Sequence, residues 1–340
     1  MKPSLHNPAA QALARWNTKR PELSHSKAPI AVAFSAGADS TALLLAAHAL
    51  WPTRVLALHV HHGLQDAADA FEATARATCT QLGIQLMVQR VDAAAAPGQS
   101  PEDAARQARY RALATMASGA DGAGEADGAG EADEPGAACV LLGHHADDQA
   151  ETLLLALSRG AGLPGLASMG EDFERHGMRF GRPLLAVLAS ELRGWLQATQ
   201  QAFVEDPSNL DTRYTRNRIR SQLMPAWAHC FPGFLPLLAR SARHAAQAQT
   251  LLDELADIDL ALTGEPPAIA SLQSLSGARQ ANALRCWLRR SAQVAPSDAQ
   301  LSELLAQIAD CRTLGHRIRI RLADGLLTRQ GERLLYTPPI

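Results

Sequence analysis

Lysine is almost missing from this chain of 340 residues: Lys2, Lys19 and Lys27 are its only three, so nearly all positive charge is guanidinium. Aromatic side chains make up only 4%, and the five cysteines (Cys79, Cys139, Cys230, Cys286, Cys311) lie far apart and never in a C-x-x-C pair. That spacing argues against a disulfide framework and against a zinc site, and leaves reduced, mostly buried thiols as the expectation. No run approaches the ~18 uninterrupted apolar residues of a spanning helix, and the N-terminal stretch lacks the apolar segment of a secretory signal. A cytoplasmic protein with no membrane partner is expected. A formal net charge of −2 leaves no global basic field, so any nucleic-acid contact needs a local patch. What remains, 47% hydrophobic and 19% charged residues, is the balance of a globular chain long enough for two domains.

Apolar runs and helical patterns alternate from Pro29 to about Arg90: Ile30 to Phe34, a helix over 40–50, Arg54 to Val60, a helix near 66–82, then Ile84 to Arg90. This is the rhythm of parallel βαβ units. A helix over 101–117, the run Ala138 to Leu142 and a helix over 147–158 continue it. The pattern predicts an α/β fold, a doubly wound parallel sheet, followed by a smaller, mainly helical domain. The expected divisions are an N-terminal extension over 1–28, an α/β domain over 29–222, a helical domain over 223–316 and a short hairpin over 317–340. The acidic Gly/Ala/Glu/Asp repeat at 118–137 has no branched or aromatic residue and is read as a disordered, solvated insert.

Open sheets of this kind hold ligands beyond the carboxyl ends of their strands. The first apolar run ends in Phe34-Ser35-Ala36-Gly37-Ala38-Asp39-Ser40-Thr41 and opens into a helix. Such a turn is an anion site, with free amides and the helix dipole aimed at whatever lies over it and the hydroxyls of Ser35, Ser40 and Thr41 as further donors. Asp39 would repel bare phosphate and makes sense as a partner for Mg2+ carried by a nucleotide. No Gly-Lys-Ser/Thr tail follows, which excludes a Walker A loop, and the G-x-G-x-x-G at Gly160 to Gly165 follows a helix and contains proline, so it is read as a plain loop. The second strand ends in His59-Val60-His61-His62-Gly63-Leu64 and the fourth in Gly143-His144-His145-Ala146-Asp147-Asp148-Gln149-Ala150-Glu151-Thr152. The spacing of His144, Asp148 and Glu151 predicts one helix face at the site entrance.

Ser35-x-Gly37-x-Asp39-Ser40 after a strand resembles the PP-loop of the ATP pyrophosphatase superfamily. With the two histidine segments, Glu102 to Tyr110, Arg182-Pro183-Leu184-Leu185, Glu205-Asp206-x-Ser208-Asn209 and Arg216-Asn217-x-Ile219-Arg220, the chain resembles the tRNA(Ile)-lysidine synthase family through about Pro225. The resemblance implies a ligase that adenylates the wobble cytidine of a CAU-anticodon tRNA(Ile) with ATP and then displaces AMP with L-lysine. It implies ATP at Ser35, Ala36, Gly37, Ala38, Asp39, Ser40 and His59, and Mg2+ at Asp39 and Asp148. The catalytic set would be Asp39, His144, Asp148, Glu151 and Arg216, with tRNA held by Arg106, Arg109, Arg213 and Arg220. Ala36 departs from the usual Ser-Gly-Gly loop and is expected at negative φ. Longer family members carry a further C-terminal domain after the helical one, whereas this sequence stops just past the hairpin. A thiolase-like tRNA enzyme, a small-molecule amide synthetase and a metal hydrolase are the alternatives weighed against this reading, and a homodimer stays open.

Overall fold

A computed structural model of the chain describes residues 7–61, 67–91, 101–119, 136–206, 211–313 and 315–339. The acidic insert lies almost wholly outside them, as do 62–64, 208 and 209 of the sequence motifs. The chain divides into two compact units, Met1–Arg243 and His244–Ile340.

The first unit opens with α1 (Pro8–Thr18) and α2 (Pro21–His25), then runs β1 (Ile30–Ala33), α3 (Ala38–Leu50), β2 (Val55–His61), α4 (Ala67–Leu82), β3 (Gln85–Arg90), α5 (Pro101–Ser118), β4 (Cys139–Leu141) and α6 (Ala146–Ser158). A single turn, α7 (Leu163–Leu166), is followed by β5 (Asp172–Arg175), β6 (Met178–Gly181), α8 (Ala189–Ala198), α9 (Thr215–Arg218), a π turn (Ile219–Leu223) and α10 (Met224–Cys230). The sheet order is β3-β2-β1-β4-β6-β5, parallel throughout except for the edge strand β5. Alternation along β1 sends Ile30 and Val32 to one face, where they meet Leu13 and Trp16 of α1 and Leu43 of α3, and Ala31 to the other, with Tyr110 and Leu113 of α5. Both faces are thus covered, as a parallel sheet requires. Gly181 lets Trp16 lie directly on β6, since a Cβ there would come within 2.9 Å of its Cη2.

The β5–β6 hairpin was not anticipated from the sequence. Its strands are four residues each and polar at alternate positions, but its turn, His176-Gly177, has φ of 51° and 70°, the double positive φ of a tight hairpin turn. Gly160 to Gly165, read as a plain loop, follows α6 and runs into the one-turn helix α7, so its second half is helical.

The helix α11 (Phe234–Thr263) carries the chain into the second unit, which comprises α12 (Ile269–Gln273), α13 (Gly277–Ala292), α14 (Asp298–Ala309) and strands β7 (Arg319–Leu322), β8 (Gly325–Gln330) and β9 (Arg333–Thr337). The expected closing hairpin is a three-stranded antiparallel sheet, because the turn at Gly331-Glu332 divides its second arm. Nor is it a separate tail: Ile318, Ile320, Leu322, Leu327 and Leu334 share one core with Leu284, Trp287, Leu301 and Leu304. The division between units falls at 243/244, inside α11, and not at 222/223, because Ile219, Met224 and Phe234 pack with Ala150 and Leu154 of α6 in the first unit.

Candidate active site

Four segments at the carboxyl ends of the parallel strands build the site: the turn after β1, the end of β2, the loop from β4 into α6, and the residues after β6. The turn is tied to its neighbours by backbone bonds, Phe34 N–H donating to Leu58 O (2.8 Å) and Val204 N–H to Ala36 O (2.9 Å). His59, 3% exposed, has Nδ1 2.8 Å from Phe34 O. Burial pushes its imidazole below the ordinary range, so the ring is neutral and Nδ1–H donates to that carbonyl. His59 therefore supports the loop from beneath.

Ala36 has φ of 62° and is fully buried, contrary to the negative φ expected of an alanine there. The left-handed conformation is imposed by the bend that turns β1 into α3, and the methyl is accommodated in the core below the loop. The hydroxyls also differ from expectation. Ser40 Oγ donates to Gly37 O (3.0 Å) and accepts Ser35 N–H (3.2 Å), Thr41 Oγ1 donates to Gly37 O (2.9 Å), and Ser35 Oγ lies 3.1 Å from Ser40 Oγ. These groups hold the loop's shape and leave anion binding to the amides of Ala38, Asp39 and Ser40, which precede the first intrahelical bond, from Thr41 N–H to Gly37 O.

The carboxylate of Asp39 is half-buried, and its Oδ1 is buried with no partner. Gly143, after β4, approaches so closely that a Cβ would lie 3.2 Å from Ser40 N and from Asp39 C. His144 precedes α6 instead of sharing its face with Asp148 and Glu151, and it is His145 that caps the helix. Sequence reasoning passed over His145. It is 6% exposed, and its ring nitrogens lie 3.5 Å from carboxylate oxygens of Asp39, Asp147 and Asp148. Burial alone would lower its pKa, but hydrogen bonds to Asp147 and Asp39 and the charge of Asp148 overcome this and raise it to about 10. With both nitrogens protonated the ring donates to the carboxylates, and the Asp148 amide, 3.4 Å from Nδ1, is a contact only. Asp148 Oδ2 accepts the His145 N–H (3.0 Å), and Asp147 Oδ2 accepts Ala189 N–H at the start of α8 (3.0 Å).

Glu151 is fully buried. Its Oε1 accepts Arg220 Nε–H at 2.7 Å, and its Oε2 has no partner. Burial, opposed by Arg220, leaves the carboxyl above its ordinary range. Arg220 also stands 3.6 Å from Asp148 and projects from the π turn, whose neighbour Ile219 packs on α6. Of the arginines expected to hold tRNA, Arg220 thus lies among the site's carboxylates, while Arg213 pairs with Asp211 (2.7 Å) with its side chain 87% exposed. Arg218 donates to the carbonyls of Thr212 and Arg213.

His144 is held neutral first by burial and then by the positive charges of Arg182, Arg109, Arg106 and Arg216, which converge on this side of the site. Arg106 and Arg109 flank the ring of Tyr110 at 5.8 Å, and Arg182, 5% exposed, stacks 4.0 Å from the ring of Phe173 and donates to Gly170 O (3.0 Å). The site thus has an acidic side, with Asp39, Asp147, Asp148 and Glu151, and a guanidinium-rich side around His144. Among the described residues no group of three or more His, Cys, Asp and Glu forms a metal cage. The orphaned Asp39 oxygen does fit a cation that arrives with phosphate ligands of its own. Asp148, engaged by His145 and Arg220, fits less well.

Residues 9–227 match the family described as PP-loop domain, and residues 268–335 match the TilS substrate binding domain. The tRNA(Ile)-lysidine synthase of Polaromonas naphthalenivorans is 54% identical over 92% of this chain and 91% of its own length. That of Burkholderia pseudomallei is 42% identical over 86% of this chain and 58% of its own. The U34-tRNA thiolase NcsA of Methanococcus maripaludis shares the fold, with a TM-score of 0.53 at 14% identity over 69% of this chain and 78% of its own. With the PP-loop turn and the site carboxylates on the first unit and a matching substrate-binding domain on the second, the chain belongs to the tRNA(Ile)-lysidine synthase family.

Proposed function

We propose that this chain joins L-lysine to C2 of the wobble cytidine of a CAU-anticodon tRNA(Ile), by way of an adenylated cytidine. The observation that carries the chemistry is the unpartnered, buried Asp39 oxygen in the first turn of α3, beside three helix-start amides and facing the His145–Asp148 cap. ATP phosphates would sit over those amides, and Asp39 would hold Mg2+, which would supply charge neutralisation there. In the first step the C2 oxygen attacks the α-phosphate, its bond to the β-phosphate breaks, and pyrophosphate leaves. Arg109 and Arg216, on the guanidinium side with neutral His144, stabilise the charge that develops. In the second step the lysine ε-amine attacks C2, the C2–O bond breaks, and AMP leaves. Asp148 holds the incoming ammonium and takes the proton that the amine must lose, while the fully buried Glu151 fixes Arg220 beside it.

Incubation with ATP, labelled lysine and a CAU-anticodon tRNA transcript tests this. The expected result is label in RNA with one AMP and one pyrophosphate per lysine. Label that enters equally when the wobble cytidine is replaced by uridine would sink the proposal.

A further inference from the structure

The second unit contains ten arginines, and their partners divide them into two groups. Arg279, Arg285, Arg289 and Arg290 are paired with Asp259, Asp298, Asp253 and Asp257. Arg329 and Arg333 donate to backbone carbonyls. Arg312, Arg317, Arg319 and Arg321 have no side-chain hydrogen bond or ion pair among the described residues, and all four are exposed. They fall within ten consecutive positions that contain no Asp or Glu.

Their placement is orderly. Ile320 and Leu322 of β7 are buried in the core, so strand alternation sends Arg319 and Arg321 to the opposite, outer face of the sheet. Across that face they stand opposite Thr328 and Leu326 of β8, which in turn oppose Leu335 and Thr337 of β9, so the paired positions include no acid. The nearest acids along the chain are Asp310, Asp324 and Glu332, at the end of α14 and in the two strand turns. Arg329 Nη1 donates to Thr313 O (2.7 Å) and His316 O (3.1 Å), which fixes the approach to β7 and with it Arg317. Side chains two apart on a strand are about 6.8 Å apart, comparable to successive phosphates of one RNA strand.

We infer that Arg317, Arg319 and Arg321, with Arg312 at the near end, form a track for the tRNA phosphate backbone, at positions remote in sequence from the anticodon chemistry. This rests on the proposed tRNA substrate and adds where the second unit grips it. Glu303 of α14 lies beside the β7 edge, where Gln307 links it to the Arg319 N–H, but it pairs with none of these arginines. Unpaired guanidinium groups whose cross-strand partners include no acid attract polyanion without base readout, releasing counterions as each phosphate is engaged. Charge on an edge strand also guards against strand-to-strand aggregation, but that role makes no demand on RNA affinity.

The test uses the full chain with Arg317→Gln, Arg319→Gln and Arg321→Gln combined, a matching triple lysine variant, and Arg285→Gln with Arg289→Gln as the paired control. Binding of CAU-anticodon tRNA is measured across salt concentrations, alongside KM for tRNA and for ATP. The glutamine variant should lose about tenfold or more in affinity at low salt and show a log–log salt slope shallower by about 1 per contact removed, with kcat at saturating tRNA and KM for ATP unchanged. The lysine variant should restore most of the slope, because an ammonium is still a phosphate partner, and the control should match wild type. A glutamine variant with the wild-type slope and tRNA KM overturns the track, as does a lysine variant no better than it. Wild-type protein that binds tRNA with a steep slope yet forms no lysidine would remove the proposed chemistry and leave the track standing.

Discussion

Replacing Arg220 by methionine isolates the buried ion pair of the site. Methionine keeps most of the aliphatic stem and its packing but removes the donor 2.7 Å from Glu151, whose side chain is fully buried while that of Arg220 is 41% exposed. Losing one partner of a fully buried pair costs roughly 3–5 kcal/mol, and a hydrogen bond to a charged group about 1.5–3 kcal/mol. Solvent reaches the arginine, so the lower end applies, and about 2 kcal/mol is expected at neutral pH. For a unit of this size that is a fall of about 4–8 °C in Tm, measurable by scanning calorimetry. The deficit should depend on pH. Burial already raises the Glu151 carboxyl above its ordinary value of 4.5, and losing Arg220 raises it further. Between those values the native state holds a proton that the unfolded chain does not, so stability falls as pH rises through the window. The deficit is then small near pH 4 and grows towards neutrality. Adding Glu151→Gln should recover more than half of it, since no uncompensated charge remains. A deficit that is flat with pH, or a double variant no more stable than the single one, would refute this account of the pair.

Asp39→Asn should abolish pyrophosphate release with ATP and tRNA in the absence of lysine while the chain still folds, at a Tm lower by about 2–4 °C because the buried His145 ring loses one of its three carboxylates; near-normal release would remove Asp39 from the mechanism. Gly143→Ala should raise KM for ATP at least several-fold with little loss of fold, since its Cβ pushes on the backbone of Asp39 and Ser40, and unchanged ATP kinetics would show that the loop tolerates the shift. Gly181→Ala, far from the chemistry, should cost about 1–3 kcal/mol by driving Trp16 off β6, checked by the thermal midpoint, and a wild-type midpoint would mean that Trp16 repacks freely.

The parallel core was legible because its strands are apolar on both faces and alternate with helical patterns, a signal that depends only on local order. The turn after β1 was legible for the same reason, as a strand, a small-residue turn and a helix in succession. The fate of its hydroxyls was not, because whether Ser40 faces ligand or its own loop is decided by the backbone bend at Ala36. The His144–His145 pair shows a similar limit. Two adjacent histidines before a helix look alike in sequence, and a register difference of one residue decides which caps α6 among three carboxylates and which turns to the guanidinium groups. Ion pairs such as Arg220–Glu151 link positions 69 residues apart and leave no local trace. The same holds for the arginines of β7, which stand out only once their paired neighbours on α13 are seen.

The internal bonding of the turn after β1 has a thermodynamic consequence. Because Ser35, Ser40 and Thr41 satisfy one another and Gly37, and His59 and Val204 brace the loop from two sides, the three amides are aligned by folding itself and need no ordering when nucleotide arrives. The cradle is preorganised, so the ordering entropy that would otherwise weaken binding has already been lost during folding. Folding stability and nucleotide affinity are thereby coupled through the same few bonds, and damage to any one of them should be felt in both.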